Sequence, residues 1–244
     1  KGIFNFGTKE SRRFDRLAFK NSQLVNNSEY IIDEIDATIF SGKNSLYGLF
    51  HSQIPDQMIK GALEVNNNKN LIVRTDIAID MSSLINSNRY FDISGYEIFN
   101  TVMTITQDKA SMKLLSDLMN TKISSSIDEL KKETNEILKT QIFIDNISEP
   151  IYEIRNNNIE SLIDSRGYGF FSFGKGFEEV IKKNKHKNGF YVYLGLNEID
   201  LNNIFFDSSG SDNSSLRSIK MKSKQFNFLN NTYMNQYFDV TFKD

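Results

Sequence analysis

Residues 71–81 alternate more cleanly than any other stretch of this chain. Leu71, Val73, Thr75, Ile77, Ile79 and Met81 fall on one side, and Arg74, Asp76 and Asp80 on the other. A period of two with one apolar and one charged face reads as an antiparallel strand with a solvated side. Residues 29–40 repeat the pattern with Ile31, Ile35, Ala37 and Ile39 on one face, and residues 90–105 continue it. Further strands are expected at 141–147, 168–173, 189–196, 216–228 and 233–242. In the last of these, Met234, Phe238, Val240 and Phe242 share a face. Asn230-Asn231 marks a hairpin turn before it, because Asn tolerates the left-handed backbone.

Other segments carry helical spacing. Residues 8–20 read as a short basic helix with Phe14 and Leu17 inward and Arg12, Arg13, Arg16 and Lys20 outward. Pro55 suits the first turn of a helix to about Val65 that carries Met58, Ile59, Ala62 and Leu63. Asp108 caps a helix with Met112, Leu115, Leu118 and Met119. Ser126 and Glu129 form a capping box ahead of the stripe Ile127, Leu130, Thr134, Ile137 and Leu138. Strands, then helices, then strands again predict an α+β fold: a largely antiparallel sheet, a few amphipathic helices and a strand-rich carboxy-terminal half. The expected organisation is an arm or helix over 1–25 and one α+β domain over 26–244, with a possible sub-boundary near 140.

At 244 residues with 20 Phe and 10 Tyr, the chain has the length and apolar content to bury a real core. Its formal net charge of −2 gives no global electrostatic case for nucleic acid, which is an unexpected partner on this ground. No apolar run is long enough to cross a bilayer as a helix. Without Cys there is no disulfide, thiolate nucleophile or thiolate zinc site, and no metal or other cofactor is expected. Asp76 and Asp80 share a strand face but stand about 13 Å apart, too far to clasp one ion. Asp33, Glu34 and Asp36 alternate faces, and the two histidines, His51 and His186, lie in opposite halves of the chain. No local pattern builds a catalytic constellation, so a non-enzymatic protein is expected, with an enzyme of unknown class, its site assembled from distant carboxylates and one His, as a further alternative.

Two motifs bear on binding. The first is the basic row Lys220, Lys222 and Lys224, preceded by Arg217. In a strand these lysines project from one face about 6.6 Å apart, a spacing that tracks a sulfated polysaccharide or a phosphate backbone. The plainer reading is the solvated face of an edge strand. The second is Arg166-Gly-Tyr-Gly-Phe-Phe-Ser-Phe173, which resembles the longer signature of RNA-recognition motifs, while Ile142-Phe-Ile-Asp-Asn-Ile147 resembles the shorter one. That resemblance implies single-stranded RNA stacking on Phe143, Tyr168 and Phe170 beside Arg166, a helix over Phe177 to Lys183, and a last strand from Phe190 to Leu194. The plainer reading is a glycine-punctuated aromatic strand in a core.

The vocabulary of the whole chain is crowded with Asn, Ile, Lys and Phe, poor in Ala and free of Cys and Trp, as AT-rich codons produce. In this it resembles the ectodomains of spirochaete outer-surface lipoproteins of the Borrelia kind. The start at Lys1, without an initiator Met, adds the expectation that a tethering segment has been trimmed. The resemblance implies a surface-exposed protein of the cell outer membrane, held only by a lipid anchor. Its implied partners are host plasma, matrix or complement proteins or a glycosaminoglycan. The RNA reading implies a cytoplasmic protein instead.

Overall fold

A computed structural model describes residues 16–26, 29–41, 46–54, 57–65, 70–84, 91–106, 109–125, 127–147, 149–184, 188–200 and 216–242. These residues are nearly all strand. The chain divides into two compact units, Lys1–Asp76 with Val102–Gln107, and Ile77–Thr101 with Asp108–Asp244.

The first unit is an antiparallel meander of β1 (Arg16–Asn26), β2 (Glu29–Ser41), β3 (Leu46–Ile54), β4 (Gln57–Val65) and the start of β5 (Leu71–Asp80). Alternation sorts its side chains as a period of two requires. Ala37, Ser52, Ile59 and Thr75 are buried, while Tyr47, Leu49 and Met58 on the opposite face are exposed. Thr75 satisfies its buried hydroxyl by donating to the Lys60 carbonyl at 2.8 Å.

The second unit holds β6 (Phe91–Ser94), β7 (Tyr96–Ile105, its last residues in the first unit), β8 (Ala110–Ser116), β9 (Lys122–Ser125), β10 (Thr140–Asp145), β11 (Ile151–Arg155), β12 (Ile159–Asp164) and β13 (Gly169–Phe173). The helix α1 (Glu178–Asn184) follows, then β14 (Phe190–Asp200), β15 (Leu216–Phe228) and β16 (Asn231–Thr241). Its sheet runs β7-β8-β10-β11-β12-β13-β14-β15-β16, and β6 pairs with β9 as a separate ribbon. Pairing is parallel at β13–β14 and β14–β15 and antiparallel from β8 to β13 and at β15–β16. A parallel step needs a crossover, and α1 supplies it between β13 and β14.

That crossover decides where the core lies. Phe170, Tyr193, Phe177 and Ile181 pack between the sheet and α1, whereas Phe173, Leu194, Leu196 and Met221 fill the opposite face. β13 is therefore buried on both sides, as parallel strands usually are. A separate cluster of Met81, Ile93, Phe99, Leu114, Leu118 and Ile123 fills the other end of this unit.

The α+β expectation is corrected to an all-β fold with one short helix and two 3₁₀ turns, Met81–Leu84 and Asp128–Leu130, among the described residues. The expected helix over 8–20 lies partly outside the described residues, and from Arg16 it is β1. Residues 57–65 form β4: Met58 and Ile59 are neighbours in sequence but point to opposite faces, one 63 % exposed and the other buried. Most of the helix expected after Asp108 is β8, and Leu118 ends it with φ 47°. The stripe from Ile127 to Leu138 does not share one face. Ile127 and Leu130 join the core against β14, Leu138 joins the cluster around Phe99, and Ile137 is exposed. Short apolar runs satisfy both periods, and strand pairing decided between them.

The last hairpin turns at Leu229 and Asn230, both with positive φ, and Asn231 already begins β16. The polar loop around Asp207 to Ser215 lies outside the described residues.

Candidate site at a break shared by three strands

β14, β15 and β16 lose their alternation at the same level. In β14, Leu194 and Leu196 are buried, but the next buried residue is Ile199 rather than Glu198. In β15, Met221 and Ser223 are buried and then Phe226. The ladders skip Asn197 and Lys224 between Leu196–Ser223 and Glu198–Gln225, and skip Lys224 and Asn235 between Ser223–Gln236 and Gln225–Met234. Asn235 takes φ 54°, which L-residues other than Asn and Asp rarely adopt. The kink brings Phe226 within 4.6 Å of Phe238, ring centroid to centroid, although in a regular ladder the two would face opposite ways. Both strands of each ladder advance equally across the break, so it re-aims side chains without inserting a residue.

Successive amides of a regular strand point in opposite directions. At the break they converge: the Asn197 and Glu198 N–H groups both donate to Glu129 Oε1, at 2.5 and 3.0 Å, and Asn197 Nδ2 donates to Oε2 at 3.0 Å. Glu129, read from sequence as half of a capping box, instead clamps this turn of backbone. Its 3₁₀ turn has no side-chain cap, and Ser126 lies outside the described residues.

A second close approach lies next to it. At Gly174 a Cβ would fall 1.9 Å from the Gly195 carbonyl oxygen, and at Gly195 one would fall 2.2 Å from the Lys175 carbonyl oxygen. Only paired glycines let the segment Gly174-Lys175-Gly176 cross β14 at this distance. Glu178 pins the crossing by accepting the Gly176 N–H at both oxygens, and its own amide and that of Gly176 hold its carboxyl below the usual range. Lys222 closes it from β15, donating to the Gly176 carbonyl at 2.6 Å with its ammonium 4.9 Å from the Phe177 ring centre.

Together these features open a cavity of about 640 Å³ whose lining includes Lys175, Lys222, Lys224, Asn197, Gln236 and Tyr237. Glu129 and Asn158 complete one wall. Asn158 ends a turn in which Asn156 Oδ1 accepts the N–H groups of Asn158 and Ile159 at 2.8 and 2.7 Å. Among the described residues no salt bridge engages Lys175, Lys222 or Lys224. Three lysines thus line one open, partly polar hollow beside an exposed tyrosine, the Lys222 ammonium being held by the Gly176 carbonyl.

Comparison of the chain with protein-family models, curated protein sequences and solved structures gave no match.

The structure brings Lys222 and Lys224 to the cavity but not the rest of the basic row. Lys220 turns to Asp239, at 2.5 Å, and that hydrogen bond raises its pKa against the effect of burial. Arg217 is the residue skipped between the pairs Phe190–Leu216 and Tyr191–Ser218, and it does not line the cavity. Lys175 joins them from a loop that sequence reading passed over. The Gly-Lys-Gly triplet between two phenylalanines was the signal available for it.

The aromatic set is divided. Phe143 lies on β10, paired with Lys113 and Glu153, three strands from β13 and so about 14 Å away. Arg166 and Tyr168 meet in the turn before β13, the guanidinium 4.8 Å from the ring centre. Asp164 holds that turn, accepting from Arg166 Nη2 at 2.6 Å and from the Tyr168 N–H at 2.9 Å. Burial would raise the Asp164 carboxyl, but the Arg166 side chain and these amides outweigh it and hold it low. Phe170 is buried beneath α1 against Tyr193, so it presents no open face for base stacking. α1 and β14 do stand where a helix and a last strand were expected.

In the first unit a groove of about 770 Å³ runs over the exposed face and includes His51, whose Nε2 lies 3.3 Å from Asp36 Oδ2. His186 lies outside the described residues. Among the described residues no three His, Asp or Glu side chains are grouped to hold a metal ion.

Proposed function

We propose that this chain is a non-enzymatic, surface-exposed bacterial binding protein, held at the outer membrane by a lipid anchor, and that it binds a sulfated glycosaminoglycan in the lysine cavity. The observation that carries the ligand assignment is the convergence of Lys175, Lys222 and Lys224 on one open hollow beside Tyr237. Lysines that close no salt bridge favour a polyanion even with Glu178 and Glu129 nearby, and binding one releases its condensed counterions. Amide and amide-bearing side chains at Asn197 and Gln236 suit the hydroxyls of a sugar, and an exposed aromatic face suits its apolar side. Surface presentation rests on the compositional resemblance to spirochaete lipoproteins.

The test is titration of the protein with a heparin octasaccharide at several salt concentrations. Replacing Lys175, Lys222 and Lys224 together by Ala should weaken binding at least about tenfold. It should also flatten the dependence of log affinity on log salt by roughly one unit per lysine. The double variant of Arg217 and Lys220, which do not line the cavity, should bind nearly as the parent does. Equal binding by the triple variant and the parent would sink the assignment. Mass spectrometry of the natural protein, showing acyl chains or none, decides the anchor separately.

A further inference from the structure

We propose that the paired amides of Asn197 and Glu198 are an oxyanion subsite of the same cavity, and that Glu129 fills it as an internal, displaceable anion. This rests on the reading of the cavity as a polyanion site and adds to it which ligand group is recognised and what it must displace.

The argument starts from the backbone. Two consecutive N–H groups that converge on one oxygen form a small anion-binding concavity, and such nests take carboxylate, sulfate or phosphate oxygens. Here they hold Glu129 Oε1, and Asn197 Nδ2 adds a third donor to the same carboxylate. The nest exists because the ladder skips Asn197 and Lys224, so it belongs to the break that opens the cavity. Lys222 and Lys224 stand on the neighbouring strand, one residue to either side of Ser223. Asn197, Glu129, Lys222 and Lys224 all line the one hollow.

A ligand oxyanion entering this hollow meets two kinds of donor. The lysines attract it through charge, without directional demand, while the two amides offer a fixed pair of hydrogen bonds already aimed at an oxygen. Glu129 is the competitor for that pair. It is only half-buried, and it is carried on a three-residue 3₁₀ turn whose other anchors, Ile127 and Leu130, are apolar and independent of the carboxylate. The side chain therefore has water to go to when it leaves. Exchanging one carboxylate for a sulfate or uronate oxygen conserves the hydrogen-bond count at the amides. Binding is thus an exchange of anions.

The experiment follows the backbone amides of Asn197 and Glu198 by ¹⁵N–¹H correlation spectra during titration with inorganic sulfate, the heparin octasaccharide and its fully desulfated form. Both resonances should move with sulfate and saturate with the octasaccharide at the concentration that saturates binding. Movement with the desulfated form identifies the ligand carboxylate as the source of the oxyanion, and movement only with the sulfated form identifies its sulfate. Glu129→Gln keeps an oxygen that accepts both amides but removes the charge. A neutral acceptor holds the pair less strongly, so the sulfate concentration that half-shifts these amides should fall about fivefold. Glu129→Asp keeps the charge on a shorter stem and should also ease sulfate entry, which a purely electrostatic role of Glu129 would not produce.

Amides that stay fixed in the parent and in both variants, while the lysine side chains respond, would overturn the subsite and leave the lysine cavity standing. Amides that respond to sulfate in a protein that ignores the octasaccharide would support the subsite and remove the glycosaminoglycan.

Discussion

Lys132 and Glu97 are each 4 % exposed, and they are joined through Thr121. Lys132 Nζ donates to the Thr121 carbonyl at 2.6 Å, and Thr121 Oγ1 donates to Glu97 Oε2 at 3.2 Å. Ser116 Oγ and the Asn120 N–H complete the Glu97 carboxylate, so neither charge is left without hydrogen bonds. Burial still pushes the Lys132 ammonium below its usual 10.5, against the opposing pull of Glu136, Glu97 and Glu133. Between that lowered value and 10.5 the unfolded chain binds more protons at this residue than the folded one. Its contribution to stability therefore rises with pH across that window. Urea midpoints measured from pH 7 to pH 11 should show this rise in the parent and lose it in Lys132→Met. Parallel curves for the two proteins would refute the assignment. None of this was legible in the sequence, where Lys131-Lys132-Glu133 falls between the apolar positions of the expected amphipathic helix. Burial of one lysine in three charged neighbours depends on a backbone bridge to Ile123 that only the fold creates.

At the scale of the element, what the sequence revealed depended on whether a run had one period or two. β2 and β5 were legible where a face recurs at two, Ile35, Ala37 and Ile39 in one and Val73, Thr75, Ile77 and Ile79 in the other, whereas β15 keeps that spacing only in part, as at Ile219 and Met221. β4 and β8 were not, since Met58, Ile59, Ala62 and Leu63 fit either a helical stripe or two faces of a strand. The lysine row was legible as a row, but its bend was not. Nothing local in β15 announces that Lys224 faces a skipped rung, because the break is set jointly by three strands. Asn235 is the one residue whose identity bears on it. With φ 54° it occupies a conformation that costs a β-branched residue about 1–2 kcal/mol and Gly almost nothing. Asn235→Val should lower stability by about that amount and weaken octasaccharide binding. Asn235→Gly should stay within about 0.5 kcal/mol of the parent and bind as it does. Chemical denaturation with parallel titrations checks both, and equal stability of the Val and Gly variants would show that the break does not depend on this conformation.

For the whole molecule, two steps of the strand order differ from the rest. β13, β14 and β15 pair in parallel, so each contact must wait for a crossover to close. The other neighbours are antiparallel and mostly consecutive in sequence, so these two parallel pairings are the slow step, on the order of milliseconds to seconds and slower than helical proteins of equal stability. Stopped-flow refolding followed by far-ultraviolet circular dichroism should therefore show a slow gain of strand signal with little helical signal at any time. Complete refolding within microseconds would contradict the topology. The helical content expected from sequence would have predicted the faster course.

The aligned skips in β14, β15 and β16 also have a mechanical meaning. A strand pulled along its axis loads its neighbours in shear, and the load is shared among successive rungs of the ladder. Where two adjacent ladders omit a rung at the same level, the sheet carries a seam, and the rungs on either side bear the excess. The seam lies directly beneath the lysine cavity. Under the proposed reading, a long polymer gripped there and dragged by flow would transmit its tension first to the thinnest line of the sheet. Grip and crease would then yield together, the hold loosening as the sheet begins to part.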